Sequence, residues 1–413
     1  MKKIMLTLLA LLLVLPVISG AQQGVQGKKV SLGSFLPMSG PVAFIGRGVR
    51  EGMDTYIKYF NQEIKTGGYN FEGFFLDDAF EAAKSISIVR DLSENKKVFA
   101  LVGAVGTPGI LGSLEFIKRK GIPFVYQGSG VSELYDPPIR NVFPVQPSYV
   151  GEGRLFIKFI ANHLKKKKIV YVFQRDAGII EAAEGTKKGM NEMIAQYRRQ
   201  GIRIVGEIPF GRADSDLSPV ASRIKQLDPD VVVVFAFGGA AVGIVKSARE
   251  AGIDLKKVPF VTTYVNSDPI YFKLALDMWN DVFIGAWAKP DSGDYFKNFM
   301  RVWKKYSGTT RDPSPYNIAG WIAMEVFAEG FNRMIKKSGT PSWNNYISAM
   351  ETFHEGGGWA DGMSYKLAYK KFDPKDKLCR YPQNYQYFIV GVDRKYQLYK
   401  KAKNLEDLFM AAY

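Results

Sequence analysis

The chain has 413 residues, 46% of them hydrophobic, a formal charge of +16 and a single cysteine, Cys379. That length exceeds what one core organises, so two lobes are expected, and one cysteine excludes an intrachain disulfide. No zinc-finger, homeodomain or RNP-type pattern accompanies the lysines and arginines, so the charge reads as a solvated surface and no nucleic-acid partner is expected.

In chain order, the first element is a leader. Met1-Lys2-Lys3 precedes an uncharged run to Gln26, most apolar over residues 4–18, and then the small residues Ser19-Gly20-Ala21. A positive head, an apolar core and small side chains are the signature of a secretory signal peptide, here residues 1–21 with cleavage after Ala21. The apolar core is shorter than the ~20 residues of a membrane span, and Pro16 interrupts it. No cysteine follows, so no lipobox is present, and the mature protein is expected to be secreted, periplasmic and soluble.

Beyond the leader, strand and helix patterns alternate regularly, which predicts an α/β architecture with parallel sheets. Residues 29–36 read as a strand. A helix follows to about residue 64, with Ser39 placed to cap it and Val42, Ile45, Val49, Met53, Ile57 and Phe60 at helical spacing. Strands at 69–76, 98–102 and 122–126 alternate with helices at 80–93 and 108–120. From His163 the pattern restarts, with strands at 168–173, 203–209, 231–235 and 259–263 and helices at 180–200, 217–226 and 240–251. Residues 143–149 read as an extended connector, because Pro144 and Pro147 disfavour helix. A second crossing is expected near 284–290 and a third near 380–387, with helices at 295–306 and 316–338 between them. The tail from 363 to 399 shows strand-like alternation. The division this predicts is residues 28–145 plus 289–379 for one lobe and 146–288 plus 380–413 for the other.

Ligands of open α/β sheets bind outside the carboxyl ends of the strands, where loops meet helix amino-termini. Four such loops stand out. Leu36 to Ala43 carries Gly40-Pro41; Leu76-Asp77-Asp78-Ala79 offers carboxylates to cap the next helix; Gly103 to Gly109 presents Gly106 and the hydroxyl of Thr107; and Gln127 to Leu134 carries Gly128-Ser129-Gly130. Catalysis is not expected. His163 and His354 lack partners at ligand spacing, neither H-E-x-x-H nor G-x-S-x-G occurs, and Cys379 has no nearby base. No cofactor or metal is expected.

Taken in order, Pro37-Met38-Ser39-Gly40-Pro41-Val42-Ala43-Phe44-Ile45-Gly46, Asp77-Asp78, Val102-Gly103, Ile122-Pro123, Ser132-Glu133-Leu134 and Val142-Phe143-Pro144-Val145-Gln146-Pro147-Ser148 resemble the leucine/isoleucine/valine-binding proteins of ABC importers. Ala248-Arg249-Glu250-Ala251-Gly252 and Asp312-Pro313-Ser314 are later landmarks of the same resemblance. It implies a type I periplasmic-binding protein: two doubly wound parallel-sheet lobes, joined by three hinge crossings, closing on a small solute and docking on an ABC permease. It also implies that Thr107 and the loop of Ser129 and Gly130 hold the ligand's carboxylate. Gly130 departs from the family's usual threonine, with Ser129 beside it as a replacement hydroxyl.

The amino-group end departs further. Tyr264 stands where amino-acid-binding members place an acid, and Ala177 where they place a tyrosine. A buried ammonium without a charged partner is costly, so an ordinary α-amino acid requires Asp176 or Glu181 to substitute. Otherwise Phe44, Phe237, Tyr264 and Tyr316 are candidates for an aromatic pocket around a carboxylate or amide with an apolar body. The same fold also serves ligand-sensing modules of signalling systems, the alternative reading of its output.

Overall fold

The apolar runs of the first half become strands because each is β-branched or aromatic, short, and bounded by turn residues. The computed structural model describes residues 22–211, 213–288, 293–359, 367–382 and 387–399. The expected leader at 1–21 lies outside the described residues, as do parts of the expected second and third crossings and of the tail.

The first sheet contains β1 (Val25–Gln26), β2 (Lys29–Leu36), β3 (Asn70–Asp77), β4 (Ala100–Val105), β5 (Phe124–Gly128) and β6 (Val142–Phe143). Strands β3, β2, β4, β5 and β6 run parallel in that order, and β1 pairs antiparallel with the start of β2. Its helices are α1 (Ala43–Tyr59), α2 (Ala82–Arg90) and α3 (Thr107–Lys120). After the first crossing come α4 (Tyr149–Phe159), β7 (Lys168–Gln174), α5 (Ile179–Gln196), β8 (Arg203–Phe210), α6 (Ser218–Leu227), β9 (Val231–Phe235), α7 (Gly238–Glu250), β10 (Phe260–Thr262), α8 (Ile270–Ala275) and β11 (Val282–Ala286). The second sheet runs β8, β7, β9, β10, β11, all parallel, repeating the order of the first. Then α9 (Asp294–Tyr306), α10 (Pro315–Ser338) and α11 (Trp343–Met350) return to the first half, where α10 packs along α1. Finally β12 (Tyr387–Val392), antiparallel to β11, and β13 (Lys395–Leu398), antiparallel to β12, extend the second sheet. The chain therefore passes between the sheets three times.

Central strands are buried on both faces, as parallel sheets between helix layers must be: every residue of β4 and of β9 is buried. The expected stripe of the first helix points inward, with Ile45, Val49, Met53, Ile57 and Phe60 all buried. Ser39 does not cap that helix. Its N-cap is Val42 without a side-chain bond, and Asp77 Oδ1 instead accepts the backbone amides of Met38, Ser39 and Ala79 at 2.8, 3.1 and 2.9 Å. Asp78 likewise leaves the α2 cap position to Glu81; its carboxylate accepts Phe80 N–H at 2.9 Å and the Ser85 hydroxyl at 2.7 Å. The two aspartates hold Ala79 and Phe80 at φ +52° and +63°, left-handed conformations that disfavour side chains.

Two helix pairs pack at glycine contacts. A Cβ on Gly153 of α4 would stand 1.9 Å from Thr186 O of α5, and one on Gly189 of α5 would stand 1.9 Å from Val150 O. The α1–α10 pair repeats the device through Gly52 and Gly320, whose Cβ atoms would each meet backbone oxygen at 2.0 Å. Such approach is open only to residues without a side chain.

Candidate functional site

In each sheet the strand order reverses beside the first strand, β2 or β7, and the loops leaving the strands there face one another across the cleft. A cavity of about 60 Å³ lies between them. Gly106 and Thr107 enter it from the β4–α3 turn, Gly128 and Tyr126 from β5, Val42, Ile45 and Val49 from α1, and Tyr316 and Ala319 from α10. The second sheet contributes Phe237, Tyr264, Val265 and Ser267, and the crossings contribute Gln146, Tyr149 at the start of α4, and Trp287.

Thr107 opens α3, where Gly106 at φ +117° turns the chain and the first-turn amides lack helical partners. Its hydroxyl is 2.7 Å from that of Ser129. The Tyr149 ring lies parallel to that of Tyr264, at 10° and 5.9 Å between centroids, and edge-on to Phe235. Tyr264 donates to Pro147 O at 3.2 Å, and Tyr316 donates to Val265 O, bonding α10 to the turn after β10. Trp287 faces Tyr126 at 6.3 Å, and Phe44 packs edge-on against Tyr316 at 5.7 Å.

No Asp, Glu, Lys or Arg is among the residues of this wall. Burial pushes the hydroxyls of Tyr126, Tyr149, Tyr264 and Tyr316 above the ordinary tyrosine range, so each stays a neutral hydrogen-bonding group. One acid stands behind the wall. Glu152 of α4 is fully buried, and its Oε1 accepts the Tyr264 amide at 2.8 Å. Desolvation raises its pKa to about 8, against the smaller opposing effects of that amide and the Thr263 hydroxyl. The carboxyl is therefore neutral at pH 7.

A family model described as periplasmic binding protein matches residues 29–368, most of the chain. The chain belongs to the periplasmic binding protein family. Among curated relatives, a Leu/Ile/Val-binding protein homolog of Brucella abortus is 22% identical over 352 residues, covering 82% of this chain and 85% of the relative. A branched chain amino acid ABC transporter structure from Thermus thermophilus with bound valine superposes with a TM-score of 0.76 at 18% identity, over 92% of this chain and 96% of that one. A solute-binding protein of an ABC transporter from R. palustris, in complex with benzoate, gives 0.73 at 17% identity, over 90% and 95%. The fold is thus the type I periplasmic-binding fold, and the family is one of solute-binding proteins rather than enzymes. Among the described residues no helix is long and apolar enough to cross a membrane.

Within this periplasmic binding protein, six of the residues singled out in the sequence form the cavity wall: Gly106, Thr107, Gly128, Phe237, Tyr264 and Tyr316. Ser129 lies one layer behind, reaching the cavity through Thr107. Phe44 is half-buried and backs Tyr316. Ala177 is exposed and does not line the cavity, because the next residue, Gly178, meets the other lobe instead: a Cβ there would be 2.2 Å from Pro108 Cγ. Gly130 is also outside the wall, and its departure from threonine has a structural counterpart. A Cβ at Gly130 would stand 2.4 Å from Pro147 O and 3.1 Å from the Tyr264 hydroxyl. Two of the three departures from the family pattern are therefore neighbours, with Tyr264 reaching into the space beside the missing side chain. Tyr126, Gln146, Tyr149 and Trp287 were not anticipated. The prolines around Gln146 marked a connector but not its approach to the cleft.

Proposed function

We propose that this protein is the extracytoplasmic solute-binding component of an ABC importer, handing its solute to a permease in the cytoplasmic membrane, and that the solute is a small monocarboxylate with an apolar or aromatic body and no α-ammonium group. The observation that carries this reading is the uncharged aromatic wall. A carboxylate finds the Thr107 hydroxyl, the first-turn amides of α3 and the favourable end of that helix's dipole. An ammonium finds no anion in the wall. Glu152 behind Tyr264 is neutral, and an unpaired buried cation costs several kcal/mol. The benzoate complex of the R. palustris protein is a precedent for an aromatic acid in this fold.

Calorimetric titration of the mature chain with benzoate, 4-methylpentanoate, leucine and leucinamide tests the reading. The two acids are expected to bind at least about tenfold more tightly than leucine, the equivalent of 1.4 kcal/mol. Leucine binding as well as 4-methylpentanoate would overturn the assignment. Thr107→Val is expected to weaken benzoate by about tenfold, since hydrogen bonds to charged groups contribute about 1.5–3 kcal/mol.

A further inference from the structure

The cavity described above is the inner of two adjoining chambers. A second space of about 290 Å³ adjoins it, and both are lined by Val42, Phe80 and Phe237. These three come from separate loops, two on the first lobe and one on the second, so the partition is of side chains rather than of backbone. Phe80 is placed there at the cost of a left-handed backbone, held by the Asp78 carboxylate.

The outer chamber is not merely the solvent mouth of the inner one. Ile179, Phe210 and Leu217 give it buried apolar walls. Its floor is the start of α7, where Gly238 needs its φ of +57° but Gly239 stands in a helix turn that alanine would stabilise. No neighbour requires glycine at 239: a Cβ there would meet nothing within 4 Å, and its φ is ordinary. Gly239 is exposed and leaves that part of the floor bare. Gln174, only 4% exposed, also lines the chamber. Its Nε2 is bound to Asp176 at 2.7 Å, while no hydrogen bond among the described residues takes its Oε1. An acceptor is thus left free at the chamber wall.

Resting on the carboxylate reading above, we infer that the solute is a two-part molecule: a carboxylate head in the inner chamber and an alkyl or aryl-alkyl extension passing between Phe80 and Phe237 into the outer one. An extension ending in a hydroxyl or N–H meets Gln174 Oε1. The protein is accordingly a binder of extended monocarboxylates, with the outer chamber setting the preferred length.

Titration with the unbranched alkanoates from butanoate to decanoate, and with 8-hydroxyoctanoate, tests this. Affinity is expected to climb about fourfold per added methylene through the middle of the series, the yield of burying one such group, and then to level off. In Gly239→Leu, which adds a side chain at the floor of the outer chamber and leaves the inner wall intact, the climb is expected to stop early while butanoate and benzoate bind as before. Equal affinity for short and long acids in the native protein, or a climb unaffected by Gly239→Leu, overturns the two-chamber solute and leaves the carboxylate reading standing. Failure of every acid to bind overturns both. A gain of about threefold or more for 8-hydroxyoctanoate over octanoate, lost in Gln174→Leu, is the expected signature of the acceptor; its absence removes Gln174 from the assignment.

Discussion

Glu152 sits four residues beyond Ser148, in the first turn of α4, with its carboxyl packed between the Tyr264 backbone and Gly285 of β11. An unfolded chain ionises this group near 4.5, whereas the native protein keeps its proton to about 8. Between those values the unfolded state binds fewer protons, so this group's contribution to stability falls as pH rises from about 4.5 to 8, by roughly 1.4 kcal/mol per unit. Glu152→Gln retains an acceptor for the Tyr264 amide and cannot ionise. Its melting temperature by calorimetry should match the native protein near pH 5 and exceed it at pH 8, with a difference on the order of 3 kcal/mol by pH 7. Equal melting at pH 8 would show that the carboxyl is not held neutral.

At the same scale, what the sequence made legible depended on local chemistry. Thr107 was readable because a hydroxyl after glycine, at a strand-to-helix turn, has a mechanism wherever it occurs. Trp287 and Tyr149 were not, because their approach to the cleft depends on where a crossing segment lies after two sheets have formed. Gly130 and Tyr264 read as two separate departures; only the distance between them relates one to the other.

Among the elements, most strands and helices followed from hydrophobic periodicity; β11, in a stretch expected to be a crossing, did not, nor did α8, α11 and α4. The start of α4, Tyr149-Val150-Gly151-Glu152-Gly153, carries two glycines in the first turns, which weakens any helical pattern. Packing decides the matter, since Gly153 lets α4 approach Thr186 of α5. Gly153→Ala should therefore be destabilising although alanine favours helix, by about 1–3 kcal/mol, because its methyl would overlap a backbone oxygen that cannot move freely. Gly239→Ala, where the added carbon meets nothing, should leave the melting temperature unchanged or raise it. Thermal denaturation of the pair checks both, and a neutral Gly153→Ala would refute the packing account. The expected capping by Ser39 failed for a similar reason. A more distant carboxylate, Asp77, gathers three amides of two loops at once.

For the whole molecule, several contacts among the described residues fasten the two halves across the cleft. Tyr316 bonds to Val265 O, Gly178 rests on Pro108, and the Ser148 and Tyr381 hydroxyls, 2.7 Å apart, tie the first crossing to the segment entering the third. Tyr316→Phe removes one hydrogen bond between the halves and little else. The loss of about 1 kcal/mol should weaken benzoate binding about fivefold and enlarge the radius of gyration of the ligand-free protein in X-ray scattering, with benzoate restoring the smaller value. An unchanged radius would mean that this bond does not bias closure. Trp287, facing Tyr126 in the wall, should report the same binding as a change in fluorescence that is lost in Trp287→Phe.

Gln146 and Trp287 belong at once to the segments that join the halves and to the surface a solute touches. A solute held there would press on the pivot itself, so its dimensions would be converted directly into the angle between the halves, without a relay of intervening side chains. If the proposed delivery to a permease holds, two solutes of equal affinity but different size would present it with different angles, and selection at delivery would be stricter than selection at capture.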